Sequence, residues 1–231
     1  MPTNVFVSGQ YLEKIPQWHT EDSSWKARGV LQTMKRNRLS PRTIGEVGCG
    51  AGEVLRQLQL HMDPECLFFG YDIAPAAIQL CRSRENERLH FQLGDVTKDR
   101  NAFFDVLLVL DLLEHQENYF SFVRDIKPLA TYKLFHQVLD LSVYTLLTKD
   151  GLTKRRQMLE DLHFFTKDTV LQTLRDERYE IVDWFYAPRS IYRSTSLKQK
   201  IRQLPRALCY RLHKDFAVRL LGGYTLFVLA K

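Results

Sequence analysis

The chain has 231 residues, of which 45% are hydrophobic, 12% aromatic and 26% charged; that mix buries a core and excludes a collagen, a disulfide miniprotein and a disordered tail. At roughly 100–200 residues per domain, the length suits one domain with a substantial appendage or two small ones. The net charge of +6 is uneven: residues 189–221 hold nine Lys or Arg against the single acid Asp215, which fits a solvated helical face or a local anionic partner better than general wrapping of nucleic acid.

The longest apolar stretch, Val106 to Leu113, is broken by Asp111 and falls far short of the roughly 20 residues that a membrane span needs. The first residues have neither the basic start nor the apolar core of a signal peptide, so a cytoplasmic location is expected. Cys49, Cys66, Cys81 and Cys209 form no C-x-x-C pair and have no His cluster at zinc-ligand spacing, so reduced thiols and no metal are expected.

Residues 1–42 read as a helical lid, with Tyr11, Trp18 and Trp25 followed by a helix whose Ala27, Val30, Leu31 and Met34 face inward. From Thr43 onward, short apolar runs alternate with helical patterns, as in βα units of a mostly parallel sheet. The first strand is Thr43 to Val47; a Gly-rich turn leads into a helix from about Ala51 to Met62, and Leu67 to Tyr71 is the second strand. Pro75 opens the next helix, Leu89 to Leu93 is the third strand, and Phe104 to Leu110, almost all apolar, is a central fourth. A helix near Glu117 to Asp125 precedes a fifth strand at about Lys133 to Leu139. After an irregular stretch, Thr166 caps a helix bearing Val170, Leu171 and Leu174, and a sixth strand runs from about Tyr179 to Tyr186. The basic segment, with Leu197, Ile201, Leu204 and Leu208 at helical spacing and Pro205 as a break, reads as two short amphipathic helices before a last strand, Tyr224 to Leu229.

The turn after the first strand reads Glu46-Val47-Gly48-Cys49-Gly50-Ala51-Gly52, glycines that allow a ligand close to the backbone. A dinucleotide fingerprint fails here, because Glu53 stands where its third glycine belongs. Glu46, Asp72, Asp95 and Asp111 all fall at or just past strand C-termini, where open α/β sheets bind ligands. Four acids in one crevice suit a ligand with hydroxyls, an amine and a positive centre, and oppose a pyrophosphate.

These residues, with Gly94-Asp95-Val96, Phe104-Asp105-Val106, Leu113-Glu114-His115 and the later His163-Phe164-Phe165-Thr166, resemble the class I S-adenosylmethionine-dependent methyltransferases, in the small-molecule branch of the methyltransferase 11/23 type. The resemblance covers about Ile44 to Glu117 well. It departs at Lys127-Pro128-Leu129-Ala130-Thr131, where the family usually carries a Pro-Gly-Gly-like turn. It implies a Rossmann-like, doubly wound, mostly parallel seven-stranded sheet with its last strand antiparallel, a helical N-terminal lid and a helical insertion before the last strand. The divisions are then 1–42 as lid, 43–188 as core with a cover around 141–163, 189–221 as basic insertion and 222–231 as final strand.

By the same resemblance Glu46, Gly48, Cys49, Gly50 and Gly52 would hold the methionine part of S-adenosylmethionine, leaving S-adenosylhomocysteine as product. Asp72 would take the ribose hydroxyls, Asp95 the adenine amino group, Ile73 and Val96 the ring faces, and Asp111 and Leu112 the region of the sulfonium. His115, His163 and His19 are candidate bases for a hydroxyl acceptor, and Trp18, Trp25, Tyr144 and Phe164 are candidate substrate contacts. O-methylation of a small molecule, a glycan or a lipid-linked acceptor follows, with an anionic acceptor or peripheral membrane contact through 189–221. The motif of base-methylating enzymes after the fourth strand is replaced by Asp111-Leu112-Leu113-Glu114, which disfavours nucleic acid. Two alternatives stand beside this reading: a non-catalytic module docking anionic lipid or glycan through the basic helices, and an NAD(P)-dependent oxidoreductase.

Overall fold

The computed structural model describes residues 2–18, 20–188 and 206–231, with side chains from residue 5 onward. Seven strands form one sheet: β1 (Thr43–Val47), β2 (Leu67–Asp72), β3 (Leu89–Leu93), β4 (Phe104–Leu110), β5 (Ala130–Leu139), β6 (Ile181–Pro188) and β7 (Tyr224–Ala230). Their order is β3-β2-β1-β4-β5-β7-β6. β1 to β5 pair in parallel, and β7 runs antiparallel between β5 and β6. This is the mostly parallel, doubly wound sheet that the resemblance implied.

The apolar run of β4 is explained by burial on both faces, since successive side chains of a strand point to opposite sides. Phe104, Leu107 and Val109 enter one core with Val123 and Ile126 of α6 (Tyr119–Ile126), Val170, Leu171 and Leu174 of α9 (Lys167–Asp176) and Ala217 and Val218 of α10 (Lys214–Leu221). Val106, Leu108 and Leu110 enter the other, with Ala27, Val30 and Met34 of α3 (Thr20–Arg36) and Val54, Leu55 and Leu58 of α4 (Glu53–Gln59). A Cβ on Gly29 would lie 2.1 Å from Phe227 Cζ, so the missing side chain lets α3 press onto β7.

Several boundaries differ from the sequence expectations. α4 starts at Glu53 and not near Ala51, because Gly50 and Gly52 hold the turn in the left-handed region. β5 begins at Ala130, which pairs with Phe104, and not at Lys133. β6 starts at Ile181 with a bulge before Asp183. Thr166 caps α9 as expected, in a reciprocal box with Thr169. Two short helices, α1 (Pro2–Val7) and α2 (Gln10–Lys14), precede α3, and α5 (Pro75–Cys81) follows β2. The 141–163 stretch contains α7 (Val143–Leu147) and α8 (Gly151–Leu159). Of the basic segment, 206–212 and α10 are helical; Leu197, Ile201 and Leu204 lie outside the described residues, as does His19. Among the described residues no helix is long and apolar enough to cross a membrane.

Candidate active site

A cavity of about 600 Å³ opens over the C-terminal ends of β1, β2 and β4, and α1, α2, the start of α3 and α8 contribute to its walls. That is where a sheet of this order leaves a crevice between diverging crossovers. Its floor is the turn after β1, held to the sheet by the Gly48 and Cys49 amides, which both donate to the Tyr71 carbonyl at 2.8 and 3.0 Å. Gly50 sits at φ +55, and a Cβ there would lie 2.5 Å from Trp18 Cδ1, so the lid closes directly on the turn.

Asp72 is buried at the end of β2, where one carboxylate oxygen accepts from the Gly50 amide and the other from the Ala74 amide, both at 2.9 Å. Burial pushes its pKa up to about 6 against the pull of these backbone donors. A carboxylate has about four acceptor sites, so two remain for a ligand, the number that a vicinal diol needs. Glu46 is 3% exposed, lines the same cavity, and its Oε2 has no hydrogen-bond partner among the described residues. Burial raises its pKa to about 8, with Lys26 lowering it and Asp72 adding to the rise.

Lys26 is a site residue that sequence reasoning missed. It falls on the inward stripe of α3 with Asp22, Ser23, Val30 and Thr33, and that register was the available signal. Its Nζ lies 2.8 Å from Asp111 Oδ2, and Asp111 Oδ1 is 2.7 Å from His136 Nδ1. Asp111 itself stands at φ +51 at the end of β4, a conformation that Asp tolerates better than most residues and that turns it into the cavity.

The far end of the cavity is a second group of polar side chains. Glu114 is 4% exposed, and its Oε2 accepts from Gln137 Nε2 at 2.9 Å. Burial, with Asp111 and Asp161 nearby, pushes its pKa up to about 8. Asp161, also buried, is bound by Arg155 at 2.8 Å, and the same guanidinium reaches Asp140 at 3.0 Å. His115 Nδ1 faces the Glu160 carbonyl at 3.3 Å and Asp161 Oδ1 at 3.9 Å. Burial lowers its pKa, with Asp161 opposing. One oxygen or nitrogen from each of Glu114, His115 and Asp161 lies within 4.8 Å of the others. Phe6, Tyr11 and Trp18 close the top, the Tyr11 ring 4.7 Å from Phe6 and 5.1 Å from Trp18.

Among the sequence candidates, Glu46, Gly48, Cys49, Gly50, Asp72, Ile73, Asp95, Asp111, Leu112, His115 and Trp18 line this cavity. Asp95 also caps the turn that follows it, accepting from the amide and hydroxyl of Thr97 at 3.0 and 2.7 Å. Gly52 and Val96 lie behind the lining, Gly52 against Phe91 and Val96 in the core. The remaining candidates are elsewhere. His163 packs edge-on against Tyr119, with Nε2 3.4 Å from the Glu117 carbonyl. Trp25 packs on His136 and Phe227, because the inward stripe of α3 carries it to the sheet. Tyr144 is 59% exposed on α7, and Phe164 is half-buried outside the lining.

A family model described as a methyltransferase domain matches residues 45–130. Solved structures share the fold at low identity. The magnesium protoporphyrin IX methyltransferase of Synechocystis, solved with bound S-adenosylhomocysteine, is 15% identical over 90% of this chain and 81% of its own, with a TM-score of 0.58. The N-methyltransferase NodS of Bradyrhizobium japonicum, also in complex with S-adenosylhomocysteine, is 14% identical over 89% and 84%, at 0.56. A SAM-dependent methyltransferase of Archaeoglobus fulgidus is 15% identical over 89% and 94%, at 0.58. No curated protein matches the sequence at a significant level.

Proposed function

We propose that this chain, a class I S-adenosylmethionine-dependent methyltransferase, transfers the methyl group to a nucleophilic oxygen or nitrogen of a small molecule. The observation that carries the reading is the cradle at the turn after β1. Asp72 keeps two acceptor sites open beside the glycines, and Glu46 presents a buried oxygen without a partner among the described residues. Asp72 then takes the ribose hydroxyls, Glu46 the cofactor's ammonium and Lys26 its carboxylate. Each buried charge meets an opposite or hydrogen-bonding group, the condition for keeping it buried.

The cofactor supplies a methyl carbon already activated by a sulfonium, so most of the work left to the protein is placing the acceptor in line. The far end of the cavity is the place for it, with Phe6, Tyr11 and Trp18 excluding water. A hydroxyl acceptor, the expectation raised by His115, would have to lose its proton to the Glu114–His115 corner. The NAD(P) alternative finds no support in this geometry, since Glu46 and Glu53 line the cavity where a pyrophosphate would rest. A lipid-linked acceptor is a second reading favoured by one observation: Leu146 and Leu147 on α7 and Leu208, Leu212 and Phe216 near α10 are all exposed, with exposed Arg211 and Lys214 among the latter.

Incubation of the protein with tritium-labelled S-adenosylmethionine and a cell extract tests the acceptor class. Label is expected in the water-soluble fraction below about 1 kDa in mass. Label confined to protein or nucleic acid would overturn the small-molecule assignment, and label in the chloroform-soluble fraction would select the lipid-linked acceptor.

A further inference from the structure

Three buried acids, Glu46, Asp72 and Glu114, line the cavity without a salt-bridge partner within 4 Å among the described residues, and the cofactor accounts for the first two. Lys26 pairs with Asp111 and Arg155 with Asp161 and Asp140. Glu46, Asp72 and Glu114 have no such partner; Glu46 and Asp72 face the turn after β1, and Glu114 faces the opposite end beside His115 and Asp161. The amide that donates to Glu114 leaves its own carbonyl oxygen, Gln137 Oε1, buried and without a partner among the described residues. A buried acceptor beside a buried carboxylate calls for a donor carrying positive charge.

We infer that Glu114, oriented by Gln137, forms an ammonium subsite, so that the acceptor is an amine and Glu114 is the catalytic residue that takes its proton. This rests on the methyltransferase reading and sharpens it from oxygen or nitrogen to nitrogen. An amine enters protonated, and the carboxylate of Glu114 holds it by charge. The ammonium passes one N–H proton to Glu114, and the freed nitrogen lone pair forms the N–C bond to the methyl carbon. The S–CH3 bond breaks as this happens, its electron pair stays on sulfur, and the sulfonium becomes a neutral thioether. The proton on Glu114 leaves to solvent with product release.

The other groups of the cluster are less suited to this role. His115 Nδ1 faces the Glu160 carbonyl at 3.3 Å, so that nitrogen carries its hydrogen, and Nε2 is left as an acceptor with no negative charge to hold an ammonium. Asp161 is already held by Arg155 at 2.8 Å. The elevated proton affinity of Glu114, which comes first from burial and then from Asp111 and Asp161, suits a group that receives a proton near neutral pH. The charged and titratable groups around it are Asp111 after β4, Tyr11 of α2, Lys26 of α3, Arg155 of α8, and His115 and Asp161 beside it.

Sinefungin, which carries an ammonium in place of the methylsulfonium of S-adenosylmethionine, is a probe of this end of the cavity. S-adenosylhomocysteine, a neutral thioether there, is its control. Calorimetric titration of the wild type at pH 7.5 is expected to show sinefungin binding about tenfold more tightly than S-adenosylhomocysteine. In Glu114→Gln that preference should fall to within about twofold while the affinity for S-adenosylhomocysteine holds. An unchanged ratio in Glu114→Gln would overturn the ammonium subsite and leave the cofactor site standing; failure of the wild type to bind S-adenosylhomocysteine would overturn both.

Should Glu114→Gln not fold, the wild type alone decides. The sinefungin preference must grow between pH 6 and 8 as Glu114 ionises, and a flat ratio counts against the inference. The labelled product of the extract experiment gives a separate readout. A methylated amine binds a cation-exchange resin at pH 5, and a product that passes through refutes an amine acceptor. Recovery of activity by Mn²⁺ after chelation would refute it too, by assigning Glu114 to a metal.

Discussion

Replacing Asp72 by Asn changes one atom in the cradle, and the structure sets what that costs. Asp72 accepts from two backbone amides on two different oxygens, at 2.9 Å each. An amide side chain can serve only one of them, and it turns an NH2 group toward the other. The two acceptor sites left for the ribose hydroxyls also lose their charge. A hydrogen bond to a charged group contributes about 1.5–3 kcal/mol, so two of them correspond to about 3–6 kcal/mol. At 1.4 kcal/mol per tenfold, S-adenosylhomocysteine should bind roughly a hundredfold to ten-thousandfold more weakly to Asp72→Asn by calorimetric titration. Folding should suffer much less, because one orphaned amide, at about 1–3 kcal/mol, is offset by removing a carboxylate whose pKa burial has pushed up to about 6. At roughly 2–4 °C per kcal/mol for a chain of this size, the Tm of the ligand-free variant should move only a few degrees. A dissociation constant within threefold of wild type, with the Tm unchanged, would refute the assignment of Asp72 to the ribose.

The same buried acids set a pH dependence of stability. Glu46 and Glu114, both near 8, and Asp72, near 6, hold protons in the native state that the unfolded chain has released. Between pH 6.5 and 8 the native state therefore binds more protons, and stability must fall as pH rises; a Tm that is flat or climbs across that window in thermal melts without ligand would contradict it. Lys26→Met removes the cation paired with Asp111 at 2.8 Å and should weaken S-adenosylhomocysteine binding about tenfold or more by titration, with an unchanged affinity counting against its role. Gly50→Ala places a methyl 2.5 Å from Trp18 at a left-handed position. At about 1–2 kcal/mol of backbone cost, it should loosen the lid and weaken the same ligand about tenfold. Gly29→Ala trades a helix gain of up to about 1 kcal/mol for overpacking of about 1–3 kcal/mol against Phe227, so a small drop in Tm is expected, and a rise would show that α3 can lift from β7.

The strands and the cofactor end were legible because their signals are local. β3 and β4 could be bounded to the residue from apolar runs between turn signals, and the acids at strand ends stand beside glycines that announce a close approach. The acceptor end was not legible in this way. Glu114 read as part of a motif with His115, and what gives it a role is contact with Gln137 and proximity to Asp161, 23 and 47 residues further on. Nothing in local spacing couples those positions. Trp18 and Trp25 looked equivalent in the sequence, yet the register of α3 sends Trp25 to His136 and leaves Trp18 over Gly50. His163 similarly reads as a base beside two phenylalanines, and the fold spends it on Tyr119.

β7 is inserted between β5 and β6, with all seven of its residues buried. The strand that joins those two is therefore synthesised after both. While residues 224–230 are still inside the ribosome, β6 has no neighbour to pair with and β5 carries an open edge. The sheet is thus completed from its middle and late, and a chain cut before Tyr224 would leave β6, with α9 packed on it, without a strand to pair with and would uncover the edge of β5.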